Sequence, residues 1–125
     1  LIQAVLNVAR NGVQAMLEVK SKGKMNLKFI TRAESQIVFH KKKHTTAIRL
    51  DIIDSGPGIN KELLDKIFYP LVSGKDYGSG LGLSLAQNFI TQHNGMIDCL
   101  STVGNTKFSI ILPIENGLKI NEVKK

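Results

Sequence analysis

The chain has 125 residues, 42% of them hydrophobic, which suits one domain with a real core. Mean hydropathy is −0.01, as in an ordinary globular protein, and no apolar run approaches the roughly 18 residues of a membrane span. The net charge of +7 would suit a nucleic acid, a membrane surface or an anionic small ligand. However, the basic residues are dispersed apart from Lys41-Lys42-Lys43-His44 and Lys124-Lys125, and few aromatics lie among them. Solvated loops and a tail are the expectation, with no nucleic acid as partner. Cys99 has no second cysteine to pair with, which suits a reducing compartment. Leu1-Ile2-Gln3 reads as the middle of a helix, so the sequence is expected to be part of a longer chain.

Residues 1 to about 20 predict an amphipathic helix. Ile2, Val5, Leu6, Ala9, Val13, Met16 and Leu17 recur at helical spacing and are expected to face the core. Gln3, Asn7, Asn11 and Gln14 form a second stripe, spaced 4, 4 and 3. Asparagine is a mediocre helix former, so two of them one turn apart ask for a reason. An amide oxygen is a hard ligand suited to magnesium, which usually arrives with substrate phosphates. A polar face, or hydrogen bonds between helices, is the alternative. Ser21-Lys22-Gly23-Lys24 ends the helix.

Met25–Arg32 reads as a strand, Ile37–His40 as a short one and Lys41–Thr46 as a basic hairpin loop. His40 and His44 lack a third ligand for a metal. Ala47–Ile53 alternates and is rich in β-branched residues, so it predicts a strand. That strand delivers Asp54 to its end. Gly56 and Gly58 then permit a tight turn and the approach of something flat, Pro57 stiffens it, and Ile59 adds an apolar wall. A carboxylate beside bare backbone suits an adenine ring with an exocyclic amine; an ordinary turn capped by Asp54 is the alternative. Asn60 caps a short helix over 60–68, and Tyr69-Pro70 stops it.

Residues 70–79 carry turn formers without periodicity and predict a lid from which Lys75 could reach a phosphate. Gly78-Ser79-Gly80-Leu81-Gly82-Leu83-Ser84 precedes a helix ending at His93-Asn94-Gly95. Glycines at a helix N-terminus expose N–H groups and the positive end of the dipole, both favourable to a polyphosphate. A flexible glycine-rich cap is the alternative reading. Met96–Ser101 and Thr106–Pro113 read as strands about a turn at 102–105, and 115–125 as a frayed tail.

Four of these motifs, in this order, resemble the ATP-binding domain of histidine kinases, in the superfamily of gyrase-type topoisomerases, ninety-kilodalton heat-shock chaperones and MutL-type repair proteins. The asparagine box corresponds to Leu6–Ala15, the first glycine box to Asp54–Ile59, the phenylalanine box to Ile67–Pro70 and the second glycine box to Gly78–Leu83. Gly104–Phe108 also fits, so the resemblance covers residues 1 to about 114 as one ATP-binding domain, with 115–125 as its tail. More narrowly, Val8–Ala15 with Phe68–Gly74, and the extra stretch around 33–46, resemble the nitrogen-regulation branch of these kinases.

The resemblance implies a two-layer α/β sandwich of the Bergerat type, a mixed sheet of about five strands with helices on one face. It implies ATP and Mg²⁺ as cofactors, with Asn11 on the metal and Asn7 supporting the metal or its water. Gln14 falls at a phosphate-contact position. Asp54 would accept from the adenine amine, in a pocket formed with Gly56, Gly58, Ile59 and Thr106. Gly80, Leu81 and Gly82 would hold phosphate, and Lys75 would reach it from the lid. The reaction implied is γ-phosphoryl transfer to a histidine on a dimerisation domain preceding the asparagine box. From there the phosphate would pass to a response regulator of the nitrogen-regulation type, and a PII-type signal protein is a further implied partner. None of His40, His44 and His93 matches the acceptor motif, so this polypeptide is expected to bind ATP–Mg²⁺ without phosphorylating itself. A nucleotide-hydrolysing or nucleotide-sensing module of the same superfamily is the alternative. So is an anti-sigma type serine kinase, against which Phe68-Tyr69-Pro70 argues.

Overall fold

The computed structural model describes residues 1–18, 25–39, 41–69 and 82–114. The 70–79 lid with Lys75, Gly80 and Leu81 of the second glycine box, His40, the helix end at 21–24 and the 115–125 tail lie outside the described residues.

Helix α1 spans Ile2–Glu18. Strands β1 (Leu27–Phe39) and β2 (Lys42–Asp54) follow as a hairpin. Helices α2 (Lys61–Leu64) and α3 (Gly82–Gln92) come next, and strands β3 (Met96–Thr102) and β4 (Asn105–Ile114) close the described chain. The strands form one sheet in the order β1-β2-β4-β3. The helices pack against one face of it, giving the expected two-layer sandwich: Ala4 and Val8 of α1 and Ala86 and Ile90 of α3 share a core with Ile52, Ile97, Cys99, Phe108 and Ile110. Phe108, Ile52, Ile90, Ile110 and Val8 are almost completely buried, each side chain contributing about 1.5–3 kcal/mol of apolar burial.

Two details of the sheet differ from expectation. Among the described residues it has four strands rather than about five, and every described pairing is antiparallel rather than mixed. The segments read as two strands, 25–32 and 37–40, are one strand, and the expected loop 41–46 is largely backbone of β2. Lys41, at φ 58°, lies in the reversal between paired Phe39 and Lys42. The continuity of β1 is interrupted at Gln36, whose φ of 55° is left-handed. Beyond it, Ile37 packs with Met96 against Ala47 and Ile111.

The buried stripe of α1 is Ala4, Val8, Gly12 and Met16, not the broader apolar set predicted. Val5 and Ala9 are half-buried, while Leu6, Val13 and Leu17 are exposed and Ile2 is 78% exposed. Small residues at 4 and 12 let the helix lie close to the sheet, which rotates the wider apolar flank outward.

The opposite face of the sheet carries a polar cluster. Asp51 is only 1% exposed. Its Oδ1 accepts from Ser109 Oγ at 2.7 Å and from Arg49 Nε at 3.0 Å, and Arg32 lies 3.6 Å from Oδ2. Arg49 also reaches Glu34 at 3.7 Å. Burial pushes the Asp51 carboxyl up, but the Ser109 and Arg49 hydrogen bonds and the charges of Arg49 and Lys107 outweigh it. The group is held below the usual carboxylate value.

Candidate functional site

Strand order makes β2 and β4 neighbours, and their register pairs Asp54 with Thr106. Ser101 of β3 pairs with Thr106 in turn. One strand end from each of three strands therefore meets at one edge of the core, beneath α1. Asp54 is 4% exposed, with its Oδ1 accepting the Gly56 N–H at 2.9 Å. That bond folds the chain back immediately after the strand, an Asx-type turn.

The loop after Asp54 is fastened on both sides. Ser55 Oγ accepts from Asn26 N–H at 2.9 Å and donates to Met16 Sδ at 3.3 Å. The Gly56 carbonyl accepts Gly104 N–H at 3.0 Å. Ile59 N–H donates to Ser101 Oγ at 2.8 Å, and Ser101 Oγ lies 2.8 Å from Thr106 Oγ1. Gly58 adopts φ 89°, and a Cβ there would sit 2.7 Å from the Thr102 carbonyl oxygen. Only glycine fits that conformation and that gap. Asn60 then caps α2 as predicted, accepting Leu63 N–H at 2.8 Å. The expected helix over 60–68 is shorter; after Leu64 the chain continues as turns, with Lys66 N–H bonded to the Leu63 carbonyl. Ile67 and Phe68 anchor this segment, Phe68 meeting Phe108 edge-on at 6.2 Å.

Asn7, Asn11 and Gln14 are half-buried along one side of α1. Asn7 Nδ2 donates to the Gly82 carbonyl at 3.2 Å, and its Oδ1 accepts Gln3 Nε2 at 2.9 Å. Asn7 therefore sits beside the first turn of α3 and braces the two helices. Among the residues predicted for the site, Asn7, Gly82, Asp54, Gly56, Gly58, Ile59 and Thr106 are drawn into this one region. Asn11 follows Asn7 by one helical turn and directly precedes Gly12, which lies against Asp54. Among the described residues no three of His, Cys, Asp and Glu come together as metal ligands. A cation here would share an amide oxygen with the oxygens of a ligand, the way magnesium is commonly held.

Sequence reasoning missed Ser101. Counting back from the two-residue turn Val103-Gly104 would have found it, since that turn places Ser101 opposite Thr106. Cys99 is core, not chemistry. Burial, with the Asp98 and Asp54 carboxylates nearby, pushes its thiol up to about 12.

An antiparallel sheet covered on one face by helices, with an asparagine-bearing helix packed over a glycine-bordered carboxylate, is a fold shared with a solved histidine-kinase catalytic domain. Residues 1–116 match the family model described as "Histidine kinase-, DNA gyrase B-, and HSP90-like ATPase", and the chain belongs to that family. It is 47% identical over 113 residues to the sensory histidine kinase/phosphatase NtrB of Proteus hauseri, and 48% identical over 112 residues to that of Vibrio alginolyticus. Each alignment covers 90% of this chain and 31% of the relative, so the chain spans about a third of the length of these curated relatives. The solved catalytic domain of histidine kinase ThkA, in a nucleotide-free form, superposes with TM-score 0.68 at 26% identity, covering 89% of this chain and 64% of that one. The mycobacterial sensor kinase MprB shares the fold, at TM-score 0.65 and 23% identity, over 89% of this chain and 68% of that one.

Proposed function

We propose that this chain is the ATP-binding catalytic domain of a sensor histidine kinase of the nitrogen-regulation type. It would present the γ-phosphate of ATP to a histidine on a separate domain of the full-length protein. Residues 1–114 would form the domain and 115–125 its tail. The observation that carries the reading is the buried Asp54 carboxylate at the end of β2, paired in register with Thr106 and overlaid by the asparagine-bearing helix α1.

In this reading Asp54 accepts a hydrogen bond from the adenine amine. Gly56 and Gly58 give the ring access to backbone, Ile59 supplies an apolar contact, and Thr106 joins the surrounding hydrogen bonds through Ser101. The amide oxygen of Asn11 suits Mg²⁺ bridging the phosphates, with Gln14 and the first N–H groups of α3 at Gly82 nearby. Gly80, Leu81 and Lys75, which lie outside the described residues, would be further phosphate contacts by their place in the sequence motifs. Positioning and charge neutralisation are most of what phosphoryl transfer asks of a protein.

Hydrolysing members of the superfamily carry a glutamate where this chain has Asn7. An amide is no general base, and this one is occupied in joining α1 to α3. That favours transfer to a protein over hydrolysis. A response regulator would receive the phosphate, and a PII-type protein would regulate the whole kinase. A cytoplasmic location accords with this role.

Calorimetric titration of ADP and a non-hydrolysable ATP analogue, with and without Mg²⁺, tests the site. Binding of the analogue should strengthen with Mg²⁺, and that gain should vanish in Asn11→Ala. Absence of binding to the folded wild-type chain would refute the reading.

A further inference from the structure

Ser101 serves two neighbours with one hydroxyl. Its Oγ accepts the Ile59 N–H at 2.8 Å and lies 2.8 Å from Thr106 Oγ1. It therefore ties the loop that follows Asp54 to the strand that runs beside Asp54. Asp54, Thr106 and Ser101 are successive cross-strand neighbours on β2, β4 and β3, so their side chains share one face of the sheet. Thr106 and Asp54 are both buried there. A serine hydroxyl has one proton and two lone pairs. The Ile59 amide can only donate, and it takes one lone pair. The Asp54 carboxylate, on the far side of Thr106, can only accept. Two hydroxyls between a fixed donor and a fixed acceptor are polarised from the first toward the second. Ser101 then donates to Thr106, and the Thr106 proton is left for the side on which Asp54 stands.

We infer that Ser101 is a positioning residue for base recognition: it makes Thr106 a hydrogen-bond donor beside the acceptor Asp54. This rests on the reading of Asp54 as the acceptor for the 6-amino group. The edge of adenine presents that amine next to the ring nitrogen N1, which is an acceptor. The base of ITP presents the reverse order, a 6-oxo acceptor next to an N1–H donor. A donor at Thr106 beside an acceptor at Asp54 matches the first edge and opposes the second. Ser101 acts through Thr106 and not through the loop alone. Without it the loop keeps its Gly56–Asp54 and Gly104–Gly56 bonds.

The test is calorimetry in Mg²⁺ on the 125-residue chain with ATP and two analogues. 1-Deaza-ATP keeps the amine and lacks N1; purine riboside triphosphate keeps N1 and lacks the amine. The wild type should bind ATP more tightly than either analogue. Ser101→Ala should weaken ATP and purine riboside triphosphate about tenfold, and 1-deaza-ATP by at most about twofold. Ser101→Thr, which keeps the hydroxyl, should stay near the wild type for all three. In a Thr106→Val background, Ser101→Ala should lower ATP affinity no further; a further loss there overturns the inference. An equal loss of ATP and 1-deaza-ATP in Ser101→Ala shows a role in loop structure only, and overturns the inference while leaving Asp54 as acceptor. So does a wild type that binds ATP and 1-deaza-ATP alike. A wild type that binds ATP and purine riboside triphosphate alike overturns the reading of Asp54 and this inference with it. If Ser101→Ala fails to fold, Ser101→Cys, a weaker donor, takes its place. A fall in ATP affinity with 1-deaza-ATP unchanged then supports the inference, and an unchanged ratio of the two overturns it.

Discussion

Asp54 occupies its place because the residues around it withhold atoms. Gly12 and Gly56 leave room for the two carboxylate oxygens, and Gly58 lets the following loop pass beneath the Thr102 carbonyl. Under the proposed reading of Asp54 as the adenine acceptor, Asp54→Asn keeps the shape but turns one acceptor oxygen into a donor. We expect selectivity for adenine nucleotides to fall at least about tenfold, the size of a lost or reversed hydrogen bond, measured as the ratio of ATP to ITP affinity. Gly58→Ala should destabilise the fold by at least about 1–2 kcal/mol, since a left-handed alanine is strained even without the carbonyl clash. Chemical denaturation would show this, and an unchanged midpoint would contradict the geometry. At this scale Asp54, Gly58 and Thr106 were legible because their types suit a tight turn at a strand end. The contact of Gly12 with Asp54 was not, because it exists only once β2 is laid across α1.

The elements divide by whether one of their faces is buried. Strand β4 is buried on both faces from Phe108 to Ile111, and its observed span, Asn105–Ile114, differs from the predicted 106–113 by one residue at each end. Edge strand β1 has only Leu27, Glu34 and Ile37 half-buried among the side chains described, so it lacks the period that would have marked its length. Its turn also lacks the Asn-Gly or Asp-Gly pair by which short hairpins are recognised, placing Lys41 at positive φ instead. Helix α3 ends in a left-handed cap at Asn94, φ 61°, with Gly95 N–H bonded to the Ile90 carbonyl at 2.9 Å. The predicted end at His93-Asn94-Gly95 is therefore explained by backbone geometry, while His93 stacks on Phe89 with ring centres 4.3 Å apart. Replacing Asn94 by Gly should raise stability by a few tenths to about 1 kcal/mol, since glycine takes this conformation without strain. A fall in the unfolding midpoint would mean that the asparagine side chain has a partner worth more than the strain.

For the molecule as a whole, two buried groups limit the pH range of stability from opposite ends. Asp51 titrates below its ordinary value of 3.8 in the folded state. Its contribution is present above that value and is lost as pH falls through the lower folded one. Cys99 titrates near 12 when folded, above its ordinary 9.0. Its contribution is present below pH 9 and is lost as pH rises toward 12. Asp51→Ala should cost about 1–3 kcal/mol at neutral pH by stranding Ser109 and Arg49, and should flatten the acid limb of denaturation curves below about pH 4. If the acid limb keeps its slope, another carboxylate governs it. The folded chain should resist iodoacetamide at about pH 8, where the Cys99 thiol is protonated and buried, and react once denatured. Asp51 was not readable beforehand: it looked like the polar half of an alternating strand, and only the register with β4 brings Ser109 to it.

The β1–β2 ribbon pairs Leu27 with Asp54 at one end and Phe39 with Lys42 at the other. At about 3.3 Å per residue, that sets the reversal some 40 Å along the strands from the carboxylate. Because β2 is central and continuous, it acts as a rigid ruler between a chemically exacting end and a permissive one. A reporter dye or affinity tag inserted at the reversal would therefore ride on the same strand as Asp54 while standing far from it, which makes the ribbon a handle for observing the domain.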